Sequence, residues 1–442
     1  MRKVGREKQL TGLAATGLLL VTLLLVTGAQ GTSQSSGTGE ISRREPIEIV
    51  GSELGLFRGA SLDDLSVHVY DGSDWHTIPF QFDEVNAAGT YAAEDGLLDD
   101  NDVLVLMATD LGDRASITQW LPDEGAREHT RYELEVTNPL SPTEQGWAYL
   151  YRSTTLTPSL PADYVRWDEV GDRIEAVSYT VGFSPTVHAG VEVLKLNGDD
   201  VDLLDRTKLR VNATCLVFGI PVGSQTLTEN DLAGLFDVTP SIDGPVRVGG
   251  GTVDSSSWFY PSLFRLETSL SLDEIPPPEP CGAIRLNWIR LSTDWLNPAT
   301  TGMTPTIYYD ANTPAGVAVD GQPDMVPDLP LSTWKQISGA QGGIVQIALA
   351  TLEGGEVRNY YKDDATLDGG DTGQDLQSFG DAGFFLNGPS GQVSLGFVTY
   401  VLVPDVPNEG ALYDDYFENP LRVTARAQDH LFGLNLPLVV AP

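Results

Sequence analysis

Short runs of alternating apolar and polar residues, separated by glycine-rich and proline-rich turns, constrain the fold of this chain more than any other feature. In one such run, Leu65–Tyr70 is followed by an Asp-Gly turn at 71–72 and by Trp75, which is the pattern of a β-hairpin. No segment keeps a helical period over three turns, and the best short helix candidate is 409–418. The pattern predicts an all-β fold of stacked antiparallel sheets with very little helix.

The same pattern of short alternating runs and turns continues to the end of the chain. The clearest further strands are predicted at 131–136, 191–196, 209–222, 284–291, 343–351, 393–403 and 421–427, and further turns at 197–198, 243–244, 320–321 and 387–388. The roughly 400 residues that follow position 31 exceed one ordinary core. We therefore predict two β-sandwich domains, 45–158 and 159–442, after a flexible linker at 32–44. One large layered sandwich is the alternative.

Residues 1–31 have the organisation of an export leader. Basic residues at the start precede an apolar run over 10–26 and then small residues, with cleavage expected after Ala29 or Gly31. The alternative is an uncleaved anchor, since the apolar run approaches the length that spans a bilayer. Both alternatives place the protein outside the cell or on its surface, and we expect contact with the membrane only through an uncleaved segment.

The charge balance excludes one class of partner. The sequence has 62 acidic and 26 basic residues, a formal net charge of −36 at pH 7. A field of this sign repels phosphate backbones, which are bound by clustered lysine and arginine. We therefore expect no nucleic-acid partner. The acidity has two interpretations, a hydrated surface or a set of divalent-cation sites.

Cys215 and Cys281 are the only cysteines in the sequence. In an oxidising exterior an even pair usually forms a disulfide, which is our prediction; two buried thiols are the alternative. No Cys-x-x-Cys pair is present, and two cysteines alone cannot form a thiolate zinc site.

Two acidic segments are candidate calcium sites because oxygen ligands spaced along a loop can converge on one ion. The candidate ligands of the first segment, directly before an apolar strand at 103–107, are Asp95, Asp99, Asn101 and Asp102. Those of the second segment, which glycines allow to fold inward, are Asp368 and Asp371. The first spacing does not match an EF-hand loop. The alternative for both segments is a hydrated turn, with Asp side chains capping backbone N–H groups.

The segment 46–83 carries the one family resemblance that we identify. It contains a strand, an Asp-Gly turn and the strand Ile78-Pro79-Phe80-Gln81-Phe82-Asp83, in which the apolar side chains point one way and Gln81 and Asp83 the other. This order resembles the N-terminal β-module of secreted polysaccharide-processing proteins. The resemblance implies a sandwich module that accompanies carbohydrate-active domains, and it assigns no catalytic residue.

Common catalytic templates are not matched by this sequence. The five histidines lack the spacing of a zinc site, and neither a Gly-x-Ser-x-Gly elbow nor a Walker loop is present. The run Ser332-Thr333-Trp334-Lys335 has the Ser-x-x-Lys form of penicillin-interacting serine enzymes. That motif requires the first turn of a long helix, whereas this run lies in strand-rich sequence, so we interpret the match as chance.

We therefore predict a secreted or surface-anchored, non-enzymatic β-sandwich protein with an adhesion, envelope or ligand-binding role. Calcium is its expected cofactor, and an extracellular glycan or envelope component its expected partner. The alternative is a carbohydrate-active enzyme, a glycoside hydrolase or polysaccharide lyase, on a layered sandwich. A concave groove with two convergent carboxylates, or with Tyr, His and Arg, and with an aromatic wall would favour the enzyme.

Overall fold

The computed structural model describes residues 40–183, 190–229, 231, 240–252, 255–274, 280–366 and 377–430. The strands within these ranges are β1 (Pro46–Val50), β2 (Leu65–Tyr70), β3 (Trp75–Thr77), β4 (Phe80–Asp83), β5 (Val103–Met107), β6 (Arg131–Asn138), β7 (Ser141–Arg152), β8 (Val165–Asp168), β9 (Arg173–Ala176), β10 (Tyr179–Phe183), β11 (Val191–Leu196), β12 (Leu204–Val217), β13 (Ile220–Leu227), β14 (Ile242–Asp243), β15 (Val248–Thr252), β16 (Ser255–Phe259), β17 (Leu263–Ser271), β18 (Ala283–Trp295), β19 (Ile307–Asp310), β20 (Thr313–Ala318), β21 (Trp334–Gly339), β22 (Gly342–Asp364), β23 (Ser378–Leu402) and β24 (Arg422–Gln428).

Helices are few and short within the same ranges. The α-helices are α1 (Glu124–Arg127), α2 (Pro298–Thr301) and α3 (Gly410–Glu418), and the 3-10 helices are Gly51–Phe57, Leu62–Asp64, Ala108–Asp110 and Leu272–Glu274. The predicted all-β fold with very little helix is confirmed, and α3 lies where a short helix was expected. None of the helices in the described ranges has the length and apolar character needed to cross a bilayer.

The described strands form four antiparallel sheets. A five-stranded sheet has the order β24-β6-β7-β2-β3, and a three-stranded sheet has the order β1-β5-β4. A twelve-stranded sheet, called the large sheet below, runs β14-β15-β16-β17-β23-β22-β21-β19-β20, and in it β18 pairs with both β23 and β12, which in turn pairs with β13. A four-stranded sheet has the order β11-β10-β9-β8.

The three-stranded sheet is a middle layer, which explains why β5 is apolar at every position. Successive side chains of a strand point to opposite faces. Leu104 and Leu106 of β5 pack in one core with the five-stranded sheet, whereas Val105 packs in another core with Val345 and Tyr400 of the large sheet. Both faces of β5 are therefore buried.

The other face of the large sheet packs against the four-stranded sheet. Val181 and Leu194 of the four-stranded sheet share a core with Phe264, Ile344 and Val401 of the large sheet. Val401 and Tyr400 are adjacent in β23 and face opposite ways, so they belong to the two different cores on either side of the large sheet. The described strands thus form a stack of sheets, as the alternating sequence pattern predicts.

Two predicted elements need correction. The run 209–222, predicted as one strand, is divided between β12 and β13 by a tight turn in which Phe218 and Gly219 have φ of 52° and 79°. Conversely, the predicted turn at 387–388 lies inside β23, where Gly388 has φ of 60° next to register shifts in the β22–β23 ladder. A glycine with positive φ serves a bulge as well as a turn, so this signal does not distinguish them.

The strand β24 returns to the start of the fold. It pairs with β6 over Arg422–Gln428, so the last described strand completes the five-stranded sheet. The predicted hairpin of β2 and β3 is also present in this sheet, with Tyr70 opposite Trp75. The boundary expected between residues 158 and 159 stays a prediction.

Candidate functional site

The candidate functional site is a cavity of about 200 Å³ at the large-sheet face that packs against the four-stranded sheet. Strands β12, β15, β16, β17, β18, β22 and β23 of the large sheet line it, together with β11 of the four-stranded sheet. Alternate residues of one strand share a face, which explains why Leu395, Phe397 and Thr399 of β23 line it together. Ladder hydrogen bonds hold these strands, so the shape of the cavity is set by rigid elements.

Most of the cavity wall is apolar. Leu194 of β11 and Leu204 of β12 line it while being only 1% and 3% exposed. Phe264, Ile344 and Leu395 contribute further buried surface from β17, β22 and β23. A wall of this kind stabilises an apolar group by removing it from water, without needing a charged partner.

The lining of the cavity includes three buried polar side chains, which lie on β18, β22 and β23. The side-chain amide Nε2 of Gln346 in β22 donates to Thr293 Oγ1 in β18 at 3.0 Å. Thr399 of β23 is paired directly with Gln346 in the ladder. The Thr399 side chain is fully buried at 0% exposure, and its hydroxyl finds no hydrogen-bond partner among the residues that the structure describes.

Glycine and serine residues of β15 and β16 also line the cavity. Gly250 of β15 has φ of 155°, and a Cβ at this position would lie 2.2 Å from Ser241 Oγ. Glycine is therefore required there for close approach of the chain. Glu267 of β17 also borders the cavity, but its carboxylate accepts a hydrogen bond from Arg265 Nε at 3.1 Å. Two residues apart on one strand, Glu267 and Arg265 lie on the same face, opposite to Leu266.

The cavity lacks the groups that glycoside hydrolysis or lyase chemistry would need. Among the described residues that line it there is no histidine, tyrosine, arginine or lysine, and Glu267 is the one acidic residue. A glycoside hydrolase uses a pair of carboxylates, and proton abstraction needs a positioned base. The arrangement can bind an apolar group, but these residues supply no proton-transfer pair.

A second, open groove of about 710 Å³ lies beside the cavity and is polar. Its lining includes Arg265, Glu267, Ser269, Glu353 and Gln392. Glu353 Oε2 accepts a hydrogen bond from the backbone N–H of Gln392 at 3.3 Å. The groove therefore holds two carboxylates, and none of its described lining residues is aromatic.

The first predicted calcium segment forms a turn in which acidic side chains accept hydrogen bonds from the backbone. Asp102 uses both carboxylate oxygens, at 3.0 Å from Val85 N and 2.7 Å from Asp99 N, and burial raises its pKa. Asp95 Oδ1 accepts a bond from the N–H two residues later, and the Asn101 amide donates to Val85 O. Within the described ranges, no three His, Cys, Asp or Glu side chains converge as metal ligands. Calcium binding at this turn stays a prediction.

The second predicted calcium segment, with Asp368 and Asp371, lies outside the described residues. Asp363, at the end of β22, is described and is 2% exposed. Its carboxylate accepts hydrogen bonds from Gly321 N at 3.0 Å and Gly380 N at 3.2 Å. Burial nevertheless raises the pKa of Asp363 to about 6.

The predicted disulfide between Cys215 and Cys281 is confirmed. The two Cα atoms are 5.4 Å apart. The bond joins β12 to the residues that enter β18, its ladder neighbour, directly below the hairpin turn between β12 and β13. At that turn Phe218 is 98% exposed, so the disulfide fixes the base of an exposed apolar hairpin tip.

The Ser-x-x-Lys run does not form a nucleophile and base. Lys335 Nζ lies 3.3 Å from the backbone oxygen of Ser332 and 3.4 Å from Asn359 Oδ1. The Ser332 hydroxyl donates to Trp334 O at 2.6 Å. Burial lowers the pKa of Lys335 to about 8, but both side chains are buried, and Lys335 is in a strand, not a helix. The structure supports the interpretation of a chance match.

Buried ion pairs are the feature that sequence reasoning missed. Between the middle layer and the large sheet, Arg247 Nε lies 2.6 Å from Asp83 Oδ2, and its Nη1 lies 2.7 Å from Glu48 Oε1. The guanidinium stacks 3.7 Å from the ring centroid of Trp258. Tyr260 donates to Glu48 Oε1, and burial raises the Tyr260 pKa well above its usual value, so this hydroxyl is no base at neutral pH. The cluster links the middle layer to the large sheet.

A second buried ionic network lies on the large-sheet strands β12, β18 and β23. Lys208 Nζ is 2.5 Å from Asp294 Oδ2 and 3.4 Å from Asp381 Oδ2, and the three side chains are at most 1% exposed. Burial raises the pKa of Asp294. Burial also acts to raise the pKa of Asp381, but the charges of Lys208 and Arg290 outweigh it and hold that pKa below its usual value. In the sequence, this network is indicated only by the even spacing of Arg290 and Asp294, which places both on one face of β18. The same spacing is equally typical of a strand face that is exposed to solvent.

No protein-family model matches this sequence, and no curated protein is significantly similar to it. Among solved structures, the chain is similar to an alpha-mannosidase from Enterococcus faecalis V583, with 11% identity and a TM-score of 0.40 over 89% of this chain and 45% of that chain. A second similar structure is a protein in the glycosyl hydrolase family 38 from Enterococcus faecalis, with 9% identity and a TM-score of 0.40 over 89% of this chain and 46% of that one.

The chain therefore spans less than half the length of these two proteins. Both are named as carbohydrate-processing proteins. At these TM-scores the similarity establishes neither a shared fold nor a shared activity. The resemblance of residues 46–83 to an N-terminal module stays a prediction.

Proposed function

We propose that this protein is an exported, non-enzymatic binding protein that takes a small apolar ligand into the cavity beneath the four-stranded sheet. The observation that carries the proposal is the cavity of about 200 Å³, whose described lining is mostly apolar. Concave, mostly apolar sites with few polar groups are typical ligand sites. The lining supplies no acid–base pair, which favours binding over turnover.

The expected affinity is modest. Burying six apolar carbons at about 0.8 kcal/mol each gives at most about 5 kcal/mol, so the Kd is no tighter than about 0.2 mM. This affinity is measurable by ligand-observed NMR or by the shift in melting temperature at millimolar ligand. Toluene is a suitable first probe, because a cavity of about 150 Å³ is large enough for benzene.

Two leucine-to-phenylalanine variants on one strand provide the test. Leu291 and Leu286 are both partly buried residues of β18, but only Leu291 lines the cavity. Leu291→Phe fills the cavity and is expected to abolish the toluene-induced rise in melting temperature, whereas Leu286→Phe retains it. A wild-type protein that does not respond to toluene, or two variants that respond equally, would contradict the proposal.

A carbohydrate-active enzyme is the second candidate function, and one observation favours it. Two carboxylates, Glu267 and Glu353, line the open groove beside the cavity, and a carboxylate pair is what glycoside hydrolysis requires. Under this alternative, we expect the wild-type protein to release nitrophenol from nitrophenyl glycosides. Glu353→Gln should lose this activity, and the control Ser394→Ala should keep it. Absence of any turnover by the wild-type protein would eliminate it.

Export, calcium and an envelope partner complete the proposal. Residues 1–31 support export to the cell exterior or surface, and the acidic turn with Asp95, Asp99, Asn101 and Asp102 supports stabilisation by calcium. The polar groove supports contact with an extracellular glycan or another envelope component. Cell fractionation followed by detection of the protein tests export directly, and retention inside the cell would contradict it.

A further inference from the structure

The hairpin of β12 and β13 ends in an apolar tip, residues 216–223, called the hairpin tip below. Phe218 in its turn is 98% exposed, and Ile220 and Val222 of β13 are 65% and 60% exposed. Residues 218–225 are all exposed, and because successive side chains of a strand alternate, both faces of β13 are open at this end. Contiguous exposed apolar surface of this kind marks a contact with a membrane or with another protein.

The turn of this hairpin contains a residue that its backbone does not favour. Phe218 and Gly219 have φ of 52° and 79°, and a two-residue hairpin turn with positive φ at both positions prefers Asn-Gly or Asp-Gly. A bulky residue with positive φ is unusual. Since the Phe218 side chain is also exposed, it adds little to the packing of the fold, which points to a role outside the fold.

Polarity changes along the hairpin at the level of the disulfide. From Cys215 to the turn and back, residues 216–223 are apolar or glycine. On the other side of the disulfide, Thr214 Oγ1 lies 2.8 Å from Ser224 Oγ across the ladder, and the Asn212 amide donates to Thr226 Oγ1 at 2.9 Å. At about 3.3 Å per residue the turn lies roughly 10 Å beyond the disulfide. This length matches the depth of about 5–10 Å at which apolar protein surfaces enter the boundary between head groups and acyl chains.

The charge distribution favours a neutral lipid surface as the partner of the hairpin tip. The sequence has no charged residue between Arg210 and Glu229, although the whole chain has a formal net charge of −36. An uncharged segment enters an apolar medium without the cost of burying a charge, whereas the field of the chain repels anionic lipids. A protein partner would cover one face of the strand, but the hairpin tip is apolar on both faces, and a lipid phase surrounds both.

We infer that the hairpin tip inserts into the interface of a neutral, zwitterionic membrane, with the ring of Phe218 leading and the polar pairs beyond the disulfide among hydrated head groups. Insertion stops at the interface because β13 pairs with β12 alone among the described strands, and its open edge needs water or head groups as hydrogen-bond partners. This inference goes beyond the proposed function and does not depend on the cavity. It adds a membrane contact to the one expected through an uncleaved segment 1–31.

Co-flotation with phosphatidylcholine vesicles tests the inference. The protein is prepared without residues 1–31, whose apolar run would itself bind vesicles, and it retains every described residue. Phe218→Asn removes the ring and suits the positive φ of the turn, so its urea midpoint should not fall below that of the wild type. We expect this variant to lower partitioning at least about 10-fold. Phe218→Trp should retain partitioning, since tryptophan favours membrane interfaces.

The matched control is Val177→Asn, at an apolar site that is 64% exposed between β9 and β10. It should leave partitioning unchanged. Flotation of the wild type that is lost in Phe218→Asn and kept in Phe218→Trp and Val177→Asn supports the inference.

Three results would overturn the inference. The first is a wild type that does not float, or that floats no better than Phe218→Asn. The second is stronger flotation with anionic phosphatidylglycerol vesicles than with phosphatidylcholine at low ionic strength. The third is sedimentation that shows wild-type dimers, abolished in Phe218→Asn, without flotation, which would assign the hairpin tip to a second copy of the chain. Toluene binding is measured separately on the same proteins, so the proposed function stands or fails independently.

Discussion

Removing Lys208 should destabilise the protein far more than removing an exposed lysine. The Lys208 ammonium bridges Asp294 and Asp381 at 2.5 and 3.4 Å, and the side chains of all three residues are at most 1% exposed. In Lys208→Met the methionine fills similar space, but two buried carboxylates lose their shared cation. Breaking a buried pair in this way typically costs about 3–5 kcal/mol, and we expect a loss of that size at pH 7.

The loss should depend on pH in a defined direction. Burial already raises the pKa of Asp294, and without Lys208 the carboxylates can lower their repulsion by taking up a proton. The folded variant then binds a proton that the unfolded chain releases, so its stability increases as the pH falls from 7 toward 5. The cost of Lys208→Met should therefore be smaller at pH 5. The double variant Lys208→Met/Asp294→Asn should recover part of the loss at pH 7.

Urea unfolding followed by tryptophan fluorescence measures both effects. The matched control is Lys195→Met, because Lys195 Nζ lies 3.5 Å from Asp200 Oδ1, with the lysine side chain 28% exposed and the aspartate fully exposed. An exposed pair contributes about 0–1 kcal/mol, so the urea midpoint of this variant should hardly change. Equal midpoints for Lys208→Met and Lys195→Met would refute the reasoning.

Three further predictions concern other parts of the chain. Cys215→Ser should lower the unfolding free energy by about 4 kcal/mol, because the disulfide closes a loop of 66 residues; an unchanged urea midpoint would contradict this. The pKa of Asp363 is raised to about 6, so its stabilisation is complete below its unfolded pKa and is lost as the pH rises through 6. The free energy of unfolding of the wild-type protein should therefore fall by an amount on the order of 2–3 kcal/mol between pH 4 and 7, and Asp363→Asn should not show this fall. Calcium at 100 times its Kd should add about 2.7 kcal/mol of stability if the turn around Asp99 binds it; identical melting curves with calcium and with chelator would exclude that site.

Local patterns in the sequence predicted local structure well. The turn at 71–72 predicted the β2–β3 hairpin, and the alternation in 78–83 placed Gln81 and Asp83 on the face opposite to the neighbouring apolar residues. The structure confirms this, with Gln81 Oε1 accepting bonds from Val246 N and Arg247 N at 2.8 Å. Both signals are short-range, since each depends on residues within one or two strands.

The candidate site could not be predicted from such local sequence patterns. Apart from Gly190, its lining residues come from eight strands between positions 191 and 399, and most of them are ordinary strand residues. A threonine at position 399 is typical of any strand, and only the neighbouring layers make its hydroxyl buried and unpaired. The burial of the charged face of β18 could not be predicted for the same reason. The alternation shows that Arg290 and Asp294 share a face, but it does not show what covers that face.

Intermolecular NOEs between toluene and the protein test the central claim most directly. The account predicts NOEs from the toluene ring to methyl groups that line the cavity, those of Leu194, Ile344 and Leu395, and their loss in Leu291→Phe. Ile220 and Val222, at 65% and 60% exposure on β13, are the exposed apolar alternative. NOEs to those two residues and none to the cavity methyl groups would contradict the account.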